Sequence, residues 1–122
     1  MDDTLLANEE GTALVRALGV LLQDHKGEDV AVLDMRELNG WTDFFVIATV
    51  SSHIHRMGLL RHIKDYCRDR GIEIFRIRRK IASEDEWTLI DLGAVVVHLM
   101  TEKSRSFYEL ERLWNTAPVI RL

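Results

Sequence analysis

The segment that most constrains the fold spans residues 86–100 and reads EWTLIDLGAVVVHLM. It contains two short runs rich in Val, Ile, Leu, Trp and Thr, separated by Asp91-Leu92-Gly93-Ala94. Residues of these types favour the pleated, packed surface of a β-sheet. Gly93 tolerates the positive φ that tight turns often need. The segment therefore predicts a β-hairpin.

Alternation along the two strands divides their side chains between two faces. With Leu92 and Gly93 as the central turn pair, Leu89 lies opposite Val96 and Trp87 opposite His98. One face then carries Trp87, Leu89, Asp91, Val96 and His98, and the other carries Thr88, Ile90, Val95, Val97 and Leu99. A one-residue change in the loop would swap the faces of one strand. The face that combines Trp, His and Asp is a candidate partner surface.

Periodicity predicts the elements of the remaining chain. Helices are expected over 9–25, 53–70 and 101–115. Strands are expected over 29–35, 43–50 and 72–78. A turn is expected at Asn39-Gly40 and a polar loop over 79–85. The apolar run 43–50 is typical of a central strand, and Ser51 or Ser52 can cap the helix after it. The 43–78 unit implies a parallel pair or near-parallel placement. We predict an α/β fold with a mixed sheet of about five strands and helices packed on it.

Composition limits the class of protein. The chain has 122 residues, of which 47% are hydrophobic and 30% charged, as expected for one globular domain. The net charge of −4 gives no support to nonspecific nucleic-acid binding. The single Cys excludes an internal disulfide, the acidic start is unlike a signal peptide, and no apolar run suits a membrane span. We expect a cytoplasmic protein, or a matrix-like one if it is processed into an organelle.

Residue types that often carry chemistry are poorly arranged for it. His55 and His62 lie seven residues apart on the predicted helix, about 10 Å, which is too far for one metal ion. Cys67 falls on an apolar stripe, as an inert core thiol does. Asp34 and Asp43 are not the close carboxylate pair of a two-metal site. No metal site is expected.

Two binding hypotheses remain beside the hairpin. The segment ATVSS (48–52) runs from a strand into a helix N-terminus and could meet an anion, but it lacks the glycines of a phosphate loop. A basic cluster contains Arg76, Arg78 and Arg79, followed by Lys80. It indicates either a solvated edge that discourages strand pairing or an RNA phosphate contact. For Trp87 and His98, a core Trp with a hydrogen-bonded His and a binding surface both stay open.

Three stretches in order carry a resemblance to a known family. VLDMRELNGWTDFFVIATVSSHIHRM (32–57), EWTLIDLGAVVVHLM (86–100) and SRSFYELERLWNTAP (104–118) resemble the ribosomal silencing factor family, also called Iojap. The resemblance covers about residues 10–117, within a single expected domain spanning 1–122. It implies a fold related to nucleotidyltransferases without their catalytic residues, no cofactor and no enzymatic activity.

The resemblance also implies a partner. Members of the family bind the large ribosomal subunit through its ribosomal protein number fourteen and block joining of the small subunit, notably when nutrients are scarce. By motif match Trp87, Asp91 and Leu92 are expected contacts. Asp43 and His98 also match family positions, with a contact or a structural role left open. Matching residues Arg105, Tyr108, Glu111 and Trp114 are expected to hold the last helix to the sheet.

The chain also departs from the family pattern, and alternatives remain. Val50 stands where the family usually has glycine, and the loop before Trp87 lacks the usual Pro and Gly. One alternative function is an RNA-binding ribosome-assembly adaptor that uses Arg76, Arg78 and Arg79, and another is a nucleotidyltransferase-like enzyme. The Trp-bearing face could also be covered in a homodimer when the protein is free.

Overall fold

The computed structural model describes residues 3–38, 42–82, 85–108 and 115–122. The elements are α1 (Asp3–Asp24), β1 (Glu28–Asp34), β2 (Phe44–Val50), α2 (His53–Asp69), β3 (Arg76–Ala82), β4 (Asp85–Asp91), β5 (Val95–Thr101) and α3 (Glu102–Tyr108). This order confirms the predicted succession of helices and strands. The Asn39-Gly40 turn and the Glu111 and Trp114 positions of the predicted last helix lie outside the described residues.

The strands form one mixed five-stranded sheet in the order β1-β2-β5-β4-β3, which confirms the predicted fold class. β2 is buried along its whole length, as the apolar run indicates. The parallel pair is β2 with β5, and all other neighbours are antiparallel. β3 runs in the same direction as β2 but lies at the far edge of the sheet. The apolar strand β5 takes the central place because it suits burial on both faces, whereas β3 is highly charged.

Each face of the sheet buries its own apolar cluster. The larger cluster joins α1 and α2 to one face through residues including Val15, Leu18, Val46, Ile63 and Val97. The smaller cluster on the other face contains Leu33, Met35, Phe45, Ile47, Val96, Met100 and Ala117, with Trp87 and Leu89 packed against it. The last residues follow the outer edge of β1, where Val119 bridges Leu33. The candidate partner surface therefore lies on the face opposite α2.

The predicted register of the β4–β5 hairpin is wrong by two residues. Asp91 pairs with Val96, Leu89 with His98 and Trp87 with Met100. The loop is longer than predicted because the Gly93 amide donates to Asp91 Oδ1 at 2.8 Å and the Leu92 amide donates to the Val95 carbonyl at 2.8 Å. Gly93 has the expected positive φ, at 86°. Because the error is an even number of residues, the predicted division of side chains between the two faces is confirmed.

The predicted limits of the preceding strand and loop are also wrong. The strand expected over 72–78 runs from Arg76 to Ala82, and part of the expected 79–85 loop forms a second hairpin with β4. Ile72 and Ile74 pack against the larger cluster without joining the sheet. The backbone ladder with β4 fixes the strand limits, and a polar sequence on an exposed edge strand does not reveal that ladder.

Candidate partner-binding site

Trp87 is half-buried, with its indole ring held against the sheet. Its Nε1 donates a hydrogen bond to His98 Nδ1 at 3.1 Å. The ring also packs against the smaller apolar cluster. His98 in turn contacts Phe45 edge to face, with ring centroids 4.7 Å apart. The tryptophan is therefore anchored at its polar edge and stays partly accessible to a partner.

His98, which accepts the hydrogen bond from this ring, is uncharged. It is 2% exposed, and burial lowers its pKa from 6.5 to about 3. Because Nδ1 accepts from the indole, the hydrogen of the neutral ring lies on Nε2. Nε2 makes no hydrogen bond with any residue that the structure describes. Trp87 therefore both forms a hydrogen bond with a buried histidine and stays partly accessible, so the two sequence-based interpretations are compatible. The hydrogen-bond partner of His98 is the indole and not Asp91.

The other predicted contact residues meet at the tip of the β4–β5 hairpin. Asp91 is half-buried, and its carboxylate caps the turn at Gly93. Leu92 is 7% exposed and belongs to the larger cluster. Asp43 is exposed, and its amide donates to the Ala94 carbonyl at 3.0 Å. The predicted set therefore forms two groups, since Trp87 lies four residues from Asp91, about 13 Å along the strand.

The basic cluster is divided between the two faces of the sheet. Arg76 pairs with Asp91 and Arg78 with Leu89, so both arginines lie on the face that carries Trp87. Lys80, which pairs with Trp87, completes this row. Arg79 pairs with Thr88 and points to the opposite face. From the sequence, the basic cluster and the tryptophan were two separate candidate sites. The pairing of β3 with β4 places Arg76 and Arg78 on the same face of the sheet as Trp87.

Arg56 on α2 contacts the two strand neighbours of Trp87, and sequence reasoning did not single it out. It is 0% exposed. Its Nε donates to Glu86 Oε2 at 2.8 Å, and its Nη1 donates to Thr88 Oγ1. Burial would raise the pKa of Glu86, but its hydrogen bonds to Arg56 and His53 outweigh that effect and lower it. A sequence signal existed, because Arg56 shares the helical spacing of the buried Leu59, Leu60, Ile63 and Cys67.

The remaining chemical candidates have structural roles. Ser52 caps α2 by accepting a hydrogen bond from the His55 amide at 3.0 Å, as predicted for one of the two serines. Cys67 is buried, and burial raises its pKa. Asp34 pairs with Arg36 at 2.6 Å, and this hydrogen bond lowers the pKa of Asp34. Within the described ranges, no group of three or more His, Cys, Asp or Glu is placed to hold a metal ion.

A cavity of about 1070 Å³ opens where β2 and β5 end, beside the first turn of α2. Its lining mixes hydroxyl groups, acidic side chains and Lys103, including Ser51, Ser52, Glu86 and Glu102. This mixture gives the cavity no single charge preference, so the ATVSS anion hypothesis gains no specific support. None of the described helices is long and apolar enough to cross a bilayer.

The fold and site define a mixed-sheet α/β protein that presents an anchored tryptophan beside a basic edge strand. The family described as "Ribosomal silencing factor during starvation" matches residues 8–122. The chain therefore belongs to the ribosomal silencing factor family, as the three sequence stretches predicted.

Individual relatives agree with this assignment. The chain is 35% identical to "Ribosomal silencing factor RsfS" of Treponema pallidum, over 94% of this chain and 98% of that protein. It is also 35% identical to "Protein Iojap, chloroplastic" of Zea mays, covering 99% of this chain and 53% of that protein. A crystal structure from Bacillus halodurans matches with a TM-score of 0.73 and 32% identity, over 90% of this chain and 98% of that one. The family has a regulatory, ribosome-associated role.

Proposed function

We propose that this protein binds the large ribosomal subunit at its ribosomal protein number fourteen and sterically blocks association with the small subunit. The observation that carries the proposal is the partly exposed Trp87, held in one position by His98 on a rigid sheet. Family membership supplies the ribosomal context. The proposed action requires binding alone, so the protein acts as a non-enzymatic silencer, and its proposed place of action is the cytoplasm, where the ribosomes it would bind are found.

The physical basis is the behaviour of anchored aromatic residues at interfaces. A few side chains carry most of the binding energy of a protein interface, and tryptophan is enriched among them. A ring whose orientation is already fixed loses less conformational entropy when it binds. Asp43 and Asp91 add acidic groups at the hairpin tip, which suit a basic partner surface. Leu92 is largely buried, so it contributes mainly by shaping the tip.

Co-sedimentation with purified large subunits tests the proposal. Trp87→Ala should weaken binding by about 30-fold or more, since hot-spot truncations cost about 2 kcal/mol or more. Ile54→Ala is the matched control, because Ile54 is 82% exposed on α2, on the opposite side of the sheet. It should bind as the wild type does. Absence of wild-type binding would remove the proposed function, and unchanged binding by Trp87→Ala would remove the tryptophan from the interface.

An RNA contact is a second candidate, favoured by the position of Arg76 and Arg78 on the face that carries Trp87. If they meet ribosomal RNA phosphates, replacing both by Ala should reduce the salt dependence of subunit binding by about two in logarithmic slope. Arg79→Ala is the matched control, because Arg79 lies on the same strand but faces the other way. Equal slopes for the wild type and the double variant would exclude this contact.

We also propose that 1–122 forms one domain and that the free protein self-associates through its Trp-bearing face. The single sheet that joins β1 to β5 supports the first proposal. The second rests on the half-buried Trp87 and Leu89, which are partly exposed on this face, and a dimer of this kind would compete with ribosome binding. Sedimentation equilibrium tests it, with a dimer expected for the wild type and a monomer for Trp87→Ala. A monomeric wild type at high concentration would refute the dimer.

A further inference from the structure

Arg56 is unusual because its charged side chain is completely buried inside the protein. Arginine is rarely buried, and removing its charge from water carries a large desolvation penalty. Apolar residues of similar volume often give equal or greater stability than a buried ion pair. Stability alone therefore does not explain an arginine at this point of the core.

The partners of Arg56 identify what it holds. Its guanidinium contacts Glu86 at 2.8 Å and also contacts Thr88, the two residues that flank Trp87 on β4. Because side chains alternate along a strand, residues 86 and 88 point toward α2 while Trp87 points to the other face. One rigid guanidinium group thus binds the side chains on both sides of the tryptophan from behind the sheet.

His53 completes the arrangement one helical turn before Arg56. Its Nδ1 lies 3.0 Å from Arg56 Nη2 and 3.2 Å from Glu86 Oε2. On the far face, the indole is held by His98 at 3.1 Å. The ring of Trp87 is therefore bound by His98, and the side chains of its two neighbours on β4 are bound by the α2 network.

We propose that Arg56 is a positioning residue for Trp87, which fixes the β4 segment so that the indole is presented in its docking orientation. This inference rests on the proposed function, since it deepens the role of the same surface. Arg56 does not itself contact the partner, because it lies on the opposite face of the sheet. Its effect on binding is to order the tryptophan before the partner arrives.

The test uses the full chain with Arg56→Met combined with Glu86→Gln, which removes both charges and leaves no unpaired buried ion. Three quantities are measured, namely the free energy of unfolding, hydrogen exchange at the Trp87 amide and indole N–H, and the dissociation constant for large subunits. We expect at least about tenfold faster exchange at Trp87, and binding weaker by about three- to tenfold, the equivalent of ordering one more side chain on binding.

Val15→Ala is the control for lost stability, because Val15 is fully buried on α1, which packs on β1 and β2. It should lower stability without changing subunit affinity or the ratio of exchange at Trp87 to exchange elsewhere in the sheet. If the double variant does not fold, Thr88→Val replaces it. This isosteric change removes one of the two contacts of Arg56 with β4, and the same effects are expected at smaller size.

The outcomes separate this proposal from the proposed function. Wild-type exchange at Trp87, or wild-type affinity in a folded Arg56→Met, Glu86→Gln variant, would overturn the positioning role while the docking function stands. Absence of wild-type binding to large subunits would overturn the docking function, and the exchange measurement would still decide whether Arg56 orders β4. A control variant that shows the same selective effect would also overturn the positioning role.

Discussion

The buried, neutral His98 predicts a specific loss of stability in mild acid. Its pKa falls from 6.5 to about 3 on folding because the imidazole is desolvated. Between these values the unfolded chain binds a proton that the folded protein does not, so the free energy of unfolding must decrease as the pH falls below about 6.5. The slope approaches about 1.4 kcal/mol per pH unit, which gives about 2 kcal/mol between pH 7 and pH 5.

His98→Gln isolates this effect, because glutamine does not titrate and its carbonyl oxygen can still accept from the Trp87 indole. Urea unfolding at pH 7, 6 and 5 should show the additional decrease in the wild type and not in the variant. The carboxyls of Asp34 and Glu86 do not interfere. Their folded pKa values are lowered, so the stability that they contribute is present above their ordinary values of 3.8 and 4.5 and is lost below that range. Equal pH slopes for the two proteins, or an NMR titration of His98 near pH 6.5 in the folded state, would refute the reasoning.

Two further substitutions and one labelling experiment test the local structure. Gly93→Ala should lower the free energy of unfolding by about 1–3 kcal/mol, because Gly93 has a φ of 86° and a Cβ there would lie 2.6 Å from the Phe75 ring; an unchanged urea midpoint would contradict this. Ser52→Ala should lower the free energy of unfolding by about 1 kcal/mol through loss of the α2 cap. An unchanged midpoint of thermal unfolding would contradict this. Cys67 should resist alkylation in the native protein at neutral pH, because burial raises the pKa of its thiol, and rapid labelling without denaturant would show that the thiol is accessible.

Local patterns in the sequence were sufficient for much of the fold. The apolar run of β2, the cap at Ser52 and the alternation around Trp87 each depend on neighbouring residues in the chain, so their signals are visible in the sequence. The faces of the β4–β5 hairpin were predicted although its register was wrong, because side-chain alternation depends only on whether the displacement is even.

Pairings between distant segments could not be read in the same way. The contact of Arg56 with Glu86 and Thr88 spans about thirty residues of sequence. It exists only once α2 packs on the sheet and the Arg56 side chain reaches β4, and a pattern within α2 does not reveal that contact. Similarly, Arg76 joins the face of Trp87 because of the β3–β4 register. An edge strand with charged residues on both sides carries no hydrophobic alternation that would define this register.

The central claim is that Trp87 docks this protein on the large subunit and keeps the small subunit away. Light scattering during the association of purified subunits measures this directly. The account predicts that the wild type lowers the amount of joined ribosomes in proportion to its concentration, and that Trp87→Ala at the same concentration has little effect. Normal joining in the presence of excess wild type, or equal inhibition by Trp87→Ala, would contradict the claim.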